Sequence, residues 1–246
     1  MEQIVEKIKV WLQNQVKQAN ANGLIVGVSG GLDSAVIANL IKRAFPNDSL
    51  GVIMPINSNP TDLKDAEAVV QACHITSMNV DLTATHALMI ETIQQEVNRV
   101  SEWHEKNARI ADANLRARLR MSTLYTIANN YNYLVVGTDN MAEWFTGYFT
   151  KYGDGGVDLQ PIVDLTKQEV RELAHFLHVP VEVIEKNPSA DLWVGQTDEE
   201  EMGTTYAYID AYLKGEEIPE KDKEVIEQLH ARTEHKRNIA TQLRLK

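Results

Sequence analysis

The first apolar run of the chain passes through two glycines directly into a helical pattern. Residues 24–29, "LIVGVS", are predicted to form a buried strand, and residues 33–45, "DSAVIANLIKRAF", a helix. Gly30 and Gly31 would let the backbone between them approach a ligand without a Cβ in the way. The unpaired N–H groups and the dipole at the start of the helix favour an anion there. This stretch therefore constrains the chain to a strand–turn–helix unit with an anion-binding loop.

The alternation of strand and helix patterns continues along the chain and predicts an α/β fold. The other predicted elements are strands at 50–56, 77–82 and 133–138 and helices at 2–20, 61–73, about 84–103 and 105–130. Thr61 or Asp62 is the expected N-cap of the third helix. Such alternation favours a central parallel sheet with helices on both faces, a three-layer α/β/α arrangement. Ser29 and Thr138 both end strands, which predicts one shared site at the carboxyl edge of the sheet.

The pattern changes after residue 138. Residues 139–165 contain "TKYGDGGVDLQP", which is rich in Gly and Asp and is predicted to be a long loop. Residues 166–179 are predicted to form a helix that Thr166 and Glu169 begin as a capping box. The remaining tail is helical and charged. We expect a single domain over 1–246 with extra helices added to the α/β core.

Charge and cysteine content exclude several functional classes. The formal net charge of −11 argues against general nucleic-acid binding, which depends on Lys and Arg neutralising phosphates. The one cysteine, Cys73, cannot form an intramolecular disulfide or a Cys-rich zinc site. No apolar run resembles a signal peptide or a membrane span. The expectation is a soluble cytoplasmic protein with no nucleic-acid or membrane partner.

The loop "SGGLDS" has the composition of a pyrophosphate cradle. Ser29 and Ser34 add hydroxyl donors to the glycine turn. Neither the Gly-Lys-Ser/Thr of a Walker A loop nor the G-x-G-x-x-G of a dinucleotide fingerprint is present. Asp33 stands near the expected phosphates, and a carboxylate there would repel them unless a divalent cation lay between. Asp33 therefore predicts Mg²⁺. The alternative is a purely structural turn, with Asp33 and Ser34 serving as caps.

Two levels of family resemblance follow from these motifs. "SGGLDS" resembles the loop of the ATP pyrophosphatases, which cleave ATP to AMP and pyrophosphate. The block "GTDNMAEWFTGYFTKYGDGGVDLQPIVDLTK" (137–167) resembles the ammonia-dependent NAD synthetases of that superfamily. So do "NPSADLW", "DEEEMGTTYAYIDAYL" and "RTEHKR", in order, between about residues 5 and 240. The resemblance implies a Rossmann-like fold of the ATP pyrophosphatase type.

The resemblance also implies a set of site residues. Asp33 and Lys167 would be catalytic, and Asp33 and Glu143 would hold Mg²⁺. The implied ATP-binding residues are Gly27, Ser29, Gly30, Gly31, Asp33, Ser34, Thr138, Lys167 and Ser189. The implied substrate-binding residues are Arg118, Lys151, Asp158, His235 and Lys236. Taken alone, most of these would be ordinary caps, loop charges or solvated lysines.

Arg118 has an additional argument from helix geometry. Arg116 and Arg120 share one face of the predicted helix, while Arg118 points the other way with Asn114 and Tyr125. The helix is apolar in several directions, so Arg118 is expected to be buried and to need an anion. That anion is either an internal carboxylate or, as the resemblance implies, the dinucleotide substrate.

The implied reaction is the ATP-dependent amidation of deamido-NAD by ammonia, through an acyl-adenylate, giving NAD, AMP and pyrophosphate. Ammonia is the expected donor because the chain has no room for an amidase domain and Cys73 lies inside a helix pattern. The loop 150–158 and residues 187–200 are expected to order over the substrates, and a homodimer is implied. Alternatives are another ligase of this superfamily and an ATP-binding sensor module. An acidic chain disfavours tRNA modification.

Overall fold

The computed structural model describes residues 1–188, 197–238 and 240–244. Four strands form the sheet: β1 (Gly23–Gly27), β2 (Ser49–Ile53), β3 (Thr76–Asn79) and β4 (Tyr133–Val135). The helices are α1 (Glu2–Gln18), α2 (Leu32–Ala44), α3 (Pro60–Cys73), α4 (Thr83–Val100), α5 (Glu105–Tyr131), α6 (Met141–Thr146), α7 (Lys167–Phe176), α8 (Val181–Ile184), α9 (Asp198–Met202), α10 (Tyr206–Leu213), α11 (Glu220–Arg232) and α12 (Glu234–Arg237).

The four strands are parallel in the order β3-β2-β1-β4, so β1 lies in the interior of the sheet. Side chains alternate across the sheet. Leu24 and Val26 point into a core formed with α1, α2 and α7, whereas Ile25 points into a second core formed with α5. Both faces are therefore covered by helices. The predicted three-layer α/β/α architecture with a central parallel sheet is confirmed.

Three local features refine the predicted elements. The capping box at Thr166 is present, with both reciprocal hydrogen bonds to Glu169. The predicted N-cap of α3 is wrong: Asn59 caps it and Pro60 takes the first helical position, where its missing N–H costs nothing. The stretch predicted as one long loop contains α6, which Asn140 begins with a second capping box.

Helices α6, α10 and α11 pack on one another as a third apolar cluster beside the sheet. Ala142, Ile209 and Ile226 are fully buried in it. Helices α10 and α11 belong to the tail that was predicted to be helical, whereas α6 lies in the stretch predicted to be a loop. In the described part of the chain, no helix has both the length and the apolar character to cross a membrane.

Candidate active site

The loop between β1 and α2 is held in a tight turn. Ser29 and Ser34 lie with their hydroxyl oxygens 3.0 Å apart, and the backbone N–H of Gly31 donates to Ser29 Oγ at 3.2 Å. Gly30 has φ of +84°, and a Cβ there would lie 2.5 Å from the carbonyl oxygen of Asp62 in α3. Only glycine fits this position, because both the conformation and the space exclude a side chain. The loop is thus fixed against α3.

A cavity of about 520 Å³ opens above this loop at the carboxyl edge of the sheet. Its walls come from the ends of β1 and β4, from α5 and α7, and from the segment after α6. The predicted site residues that line it are Gly27, Ser29, Gly31, Asp33, Ser34, Thr138, Glu143, Lys167 and Lys236. Gly30 lies behind them against α3. The shared site predicted from Ser29 and Thr138 is therefore present.

The most concentrated charges in the cavity surround Lys167. Its ammonium nitrogen lies 2.6 Å from Asp33 Oδ2 and 3.3 Å from Glu143 Oε1. Asn140 donates from Nδ2 to the other oxygen of Asp33 at 3.0 Å. Asp33 begins α2, Glu143 lies in α6 and Lys167 begins α7, so three helix starts place three charges together.

Burial and neighbouring charge act in opposite directions on these groups. Burial raises the pKa of Glu143 to about 7, although the ammonium of Lys167 partly offsets this. For Lys167, burial opposes the charged form, but the carboxylates of Asp33 and Glu143 outweigh it and raise its pKa above the ordinary value. The lysine therefore keeps its charge, which is what a group facing phosphates requires.

A second ring of side chains, which the sequence did not reveal, supports this cluster. The Tyr206 hydroxyl lies 3.0 Å from both Glu143 Oε1 and Asp198 Oδ2. The ammonium of Lys167 lies 4.6 Å from the centre of the Tyr206 ring. Tyr206 and Asp198 are both buried, and they fall within the segments that resemble the NAD synthetases. Asn140 had a signal in the sequence: "NMAE" has the same capping-box spacing as Thr166 and Glu169.

Asp33 and Glu143 suit Mg²⁺ as a pair. Both offer carboxylate oxygens to the cavity, and in this structure they already surround a cation, the ammonium of Lys167. Within the described residues, no group of three or more acidic, His or Cys side chains could hold a metal ion alone. Mg²⁺ commonly takes one or two carboxylates and completes its shell with water and substrate phosphates. The residues present fit a metal that shares its ligands with ATP.

Arg118 is exposed, so the prediction that it is buried was wrong. The predicted orientation of the helix is confirmed. Asn114 and Tyr125 bond to Thr150 and Asp158, and Arg118 NH2 lies 3.4 Å from the carbonyl oxygen of Lys151. This face of α5 carries the 150–158 loop. The loop covers Arg118 only in part, and its guanidinium stays open to solvent.

The arginine of α5 that does line the cavity is Arg120. Its Nε donates to the carbonyl oxygen of Met54, 3.1 Å away at the end of β2. Burial lowers the pKa of Arg120. Neighbouring Arg116 is instead paired with Asp112 at 2.8 Å. The helical projection therefore did not identify the arginine that lines the cavity, and the partner of Arg120 is a carbonyl oxygen and not an anion.

The other predicted substrate residues mostly contact the protein itself. Lys151 donates to the carbonyl oxygens of His235 and Asn238. Both carboxylate oxygens of Asp158 accept hydrogen bonds, from Tyr125 and from the backbone of Val135. Lys236 donates to the carbonyl oxygens of Gly147 and Phe149 at the cavity wall. The side chain of His235 is exposed outside the cavity lining, and Ser189 lies outside the described residues, as does most of 187–200.

Comparison with known proteins agrees with this geometry. The family model described as NAD synthase matches residues 4–244. An NH(3)-dependent NAD(+) synthetase of Alkaliphilus metalliredigens is 57% identical over 233 residues, which are 95% of this chain and 94% of that protein. The structure of NMN synthetase from Francisella tularensis superposes with a TM-score of 0.91 at 36% identity, covering 98% of each chain. The NH3-dependent NAD synthetase of Campylobacter jejuni gives a TM-score of 0.78 at 27% identity, covering 99% of each chain.

Proposed function

This chain belongs to the NAD synthase family, and on that premise we propose that it amidates deamido-NAD with ammonia, using ATP. The observation that carries the proposal is the cluster of Lys167, Asp33 and Glu143 beside the glycine loop, inside one cavity. An ATP sensor would need the loop but no such cluster. We further propose that residues 1–246 act as one catalytic domain in the cytoplasm, where its co-substrate ATP is supplied.

The first step activates a carboxylate that ammonia cannot attack directly. The nicotinate carboxylate attacks the α-phosphorus of ATP. The bond between the α-phosphorus and the oxygen that bridges it to the β-phosphate breaks, and pyrophosphate leaves into the loop. Ser29, Ser34 and the start of α2 present hydrogen-bond donors to it, and Lys167 faces the developing charge. Bound Mg²⁺, held by Asp33 and Glu143, would neutralise phosphate charge.

The second step forms the amide. Ammonia attacks the acyl carbon of the adenylate, AMP leaves with the carbonyl–phosphate oxygen, and the nitrogen loses a proton to solvent or a nearby base. None of the charged side chains at the glycine loop is required as a nucleophile, so catalysis consists of positioning and electrostatic stabilisation. The adenylate must also be kept from water. We assign this shielding to the 150–158 loop, which Asn114 and Tyr125 of α5 hold through Thr150 and Asp158.

The decisive assay follows NAD with an alcohol dehydrogenase readout. The purified chain receives ATP, Mg²⁺ and deamido-NAD, with ammonium in one reaction and glutamine in the other. NAD formed with ammonium alone supports the proposed reaction and the proposed donor. If NAD forms equally well from glutamine, ammonia is not the specific nitrogen donor. If no NAD forms in either reaction while ATP still binds, deamido-NAD is not the acceptor.

A second candidate substrate is nicotinate mononucleotide, which lacks the adenylyl half of deamido-NAD. The observation that favours it is the Francisella NMN synthetase, which superposes better than the Campylobacter NAD synthetase, at TM-scores of 0.91 and 0.78. The cluster at Lys167 acts on ATP in either case. Measuring kcat/KM for both nucleotides under the same conditions distinguishes them, because the preferred substrate must show the higher value.

We also propose a homodimer through α4. Of its eighteen residues only His86 is buried, and Leu88, Met89, Ile93 and Val100 are exposed at 68%, 43%, 37% and 70%. Met89, Ile93 and Val100 recur at helical spacing, and contiguous exposed apolar surface marks association sites. A single Ile93→Glu substitution should convert a dimer to a monomer in sedimentation equilibrium. A parent chain that is already monomeric at micromolar concentration contradicts the proposal.

A further inference from the structure

Arg171 lies one helical turn after Lys167 on the same side of α7. Residues four apart on a helix are neighbours on its surface, and both side chains line the cavity above the glycine loop. Lys167 is in contact with Asp33 at the start of α2, and α7 packs beside α2. Arg171 therefore lies on the same wall of the cavity as the charge cluster around Lys167.

The positive charges on this wall differ in how they are compensated. Lys167 has two carboxylate partners, Asp33 and Glu143. Lys186 also has two, since its ammonium lies 2.5 Å from Asp62 Oδ1 and 3.1 Å from Asp65 Oδ2. Arg171 forms no ion pair with any carboxylate in the described ranges of the chain. Among the described residues, the hydrogen bond that it makes runs from NH1 to the carbonyl oxygen of Ile184, at 2.6 Å.

That single bond fixes the guanidinium without neutralising it. A carbonyl oxygen carries no net charge, and the planar fork leaves Nε and NH2 as further donors. A partly buried cation facing a cavity is stabilised by an anion. Pyrophosphate carries several negative charges, which the already neutralised Lys167 cannot balance alone.

Arg171 also stands where the cavity meets a second cleft. That cleft runs between α7 and α10, and the residues common to both openings are Lys167 and Arg171. Asp210 lines the cleft, but its carboxylate is taken up by the backbone N–H groups of Lys167 and Gln168. A product bound at Arg171 is thus close to solvent on the side of the site away from α5.

We propose that Arg171 binds the β- and γ-phosphates of ATP, and hence the pyrophosphate product. The inference rests on the proposed use of ATP. It gives Arg171 a role at the terminal phosphates, at the far end of the triphosphate from the reacting α-phosphorus. Arg171 then contributes to the affinity for ATP and pyrophosphate but not to that for AMP. A residue with only a structural role would change all three affinities together.

The test is calorimetric binding of pyrophosphate, ATP and AMP, each with Mg²⁺ and without turnover. In Arg171→Met, affinity for pyrophosphate should fall about tenfold or more, with AMP affinity within twofold of the parent. Arg171→Lys should retain part of the affinity, because it keeps the charge but loses the fork. Lys214→Met is the matched control: it removes an exposed lysine of the second cleft and should change nothing.

Pyrophosphate affinity within twofold of the parent in Arg171→Met, with AMP still bound, overturns the inference. Equal losses for pyrophosphate and AMP in both Arg171 variants also overturn it, since they indicate a structural role. If the methionine variant does not fold, Arg171→Lys decides instead: its loss of pyrophosphate affinity must exceed its loss of AMP affinity. Because no acceptor nucleotide is present, a failure to make NAD or NMN would contradict the proposed function without affecting this result.

Discussion

The two ends of the cavity are built in different ways. At the phosphate end, Asp33, Glu143 and Lys167 contact one another directly, and Asn140 and Tyr206 hold the carboxylates from behind. The side chains of Lys167, Glu143 and Asp33 are only 6%, 13% and 15% exposed. This end is held together by contacts within the chain itself. The ammonium of Lys167 lies between the two carboxylates and partly offsets their charge.

At the nucleotide end, most of the residues implied by resemblance face the protein or solvent and not the cavity. Arg118 and His235 are exposed, and Lys151 and Asp158 are bonded to other parts of the protein. Only Lys236 among the five lines the cavity. Under the proposed function, we therefore expect ATP chemistry to depend on a preassembled cluster, and acceptor recognition to depend on surfaces that ordering or a second copy would complete. The predictions below test this division.

Removing the central charge of the phosphate end should have the largest effect. Lys167→Met leaves Asp33 and Glu143 as adjacent carboxylates facing the phosphates. We expect kcat to fall by about 10²- to 10³-fold, the range typical of losing one transition-state donor. The nicotinate-nucleotide KM should change little. Steady-state assays at saturating ATP measure this, with Lys214→Met as the control. A loss confined to the acceptor KM would break the division between the two ends.

Changing a carboxylate at the same end should act through the metal. Glu143→Gln keeps the capping box, because its carbonyl can accept from the N–H of Asn140. Its NH2 then faces the Tyr206 hydroxyl, which still donates to Asp198. It removes one charged ligand, so we expect about tenfold more Mg²⁺ to be needed for half-maximal activity. Direct Mn²⁺ binding, followed by electron paramagnetic resonance without turnover, should weaken in parallel. Unchanged Mn²⁺ affinity would remove Glu143 from the metal site.

At the nucleotide end, Arg118→Met should raise the acceptor KM by about tenfold, the loss expected for one charge-assisted contact. ATP affinity and kcat should stay within twofold, because Arg118 lies outside the cluster around Lys167. Arg43→Met removes an exposed arginine from the last turn of α2, which does not line the cavity, and serves as the control. If ATP affinity fell as much as acceptor affinity, the two ends would not be separable.

The same contrast explains what the sequence could predict. Asp33 and Lys167 are 134 positions apart, yet each begins a helix whose start the sequence marks with a glycine turn or a capping box. Local signals of this kind predict the phosphate end well. The parallel sheet followed from the alternation of elements, and its carboxyl edge then located the site.

The rest depended on contacts between segments that no local pattern encodes. A helical projection separates Arg118 from Arg120 but does not say which side of α5 the 150–158 loop will cover. Tyr206 reaches Glu143 only because α10 packs against α6 in the third apolar cluster. Asp158 follows a glycine-rich stretch typical of a ligand loop, yet its carboxylate accepts two bonds from the protein. Long-range packing decides such cases.

Changing Asp158 should therefore have the smallest effect on activity. It tests whether a residue at the nucleotide end stabilises the loop or binds the acceptor. Its Oδ2 accepts from the N–H of Val135 at 2.8 Å, and its Oδ1 accepts from Tyr125 at 3.0 Å. An asparagine can satisfy only one of these donors with its carbonyl, so Asp158→Asn should lower the free energy of unfolding by about 1–3 kcal/mol. Tyr125→Phe should lower it by about 1 kcal/mol, since it removes one hydroxyl and leaves the carboxylate bonded to Val135.

Urea denaturation gives the stability of both variants, and the acceptor KM is measured on the same preparations. If Asp158 holds the loop rather than the nucleotide, stability falls in both variants while the KM stays within twofold of the parent. A KM that rises in Asp158→Asn but not in Tyr125→Phe, at equal stability, means that the carboxylate leaves its protein donors to bind the acceptor. In that case the nucleotide end is assembled by the substrate itself, from residues that stabilise the loop until it binds.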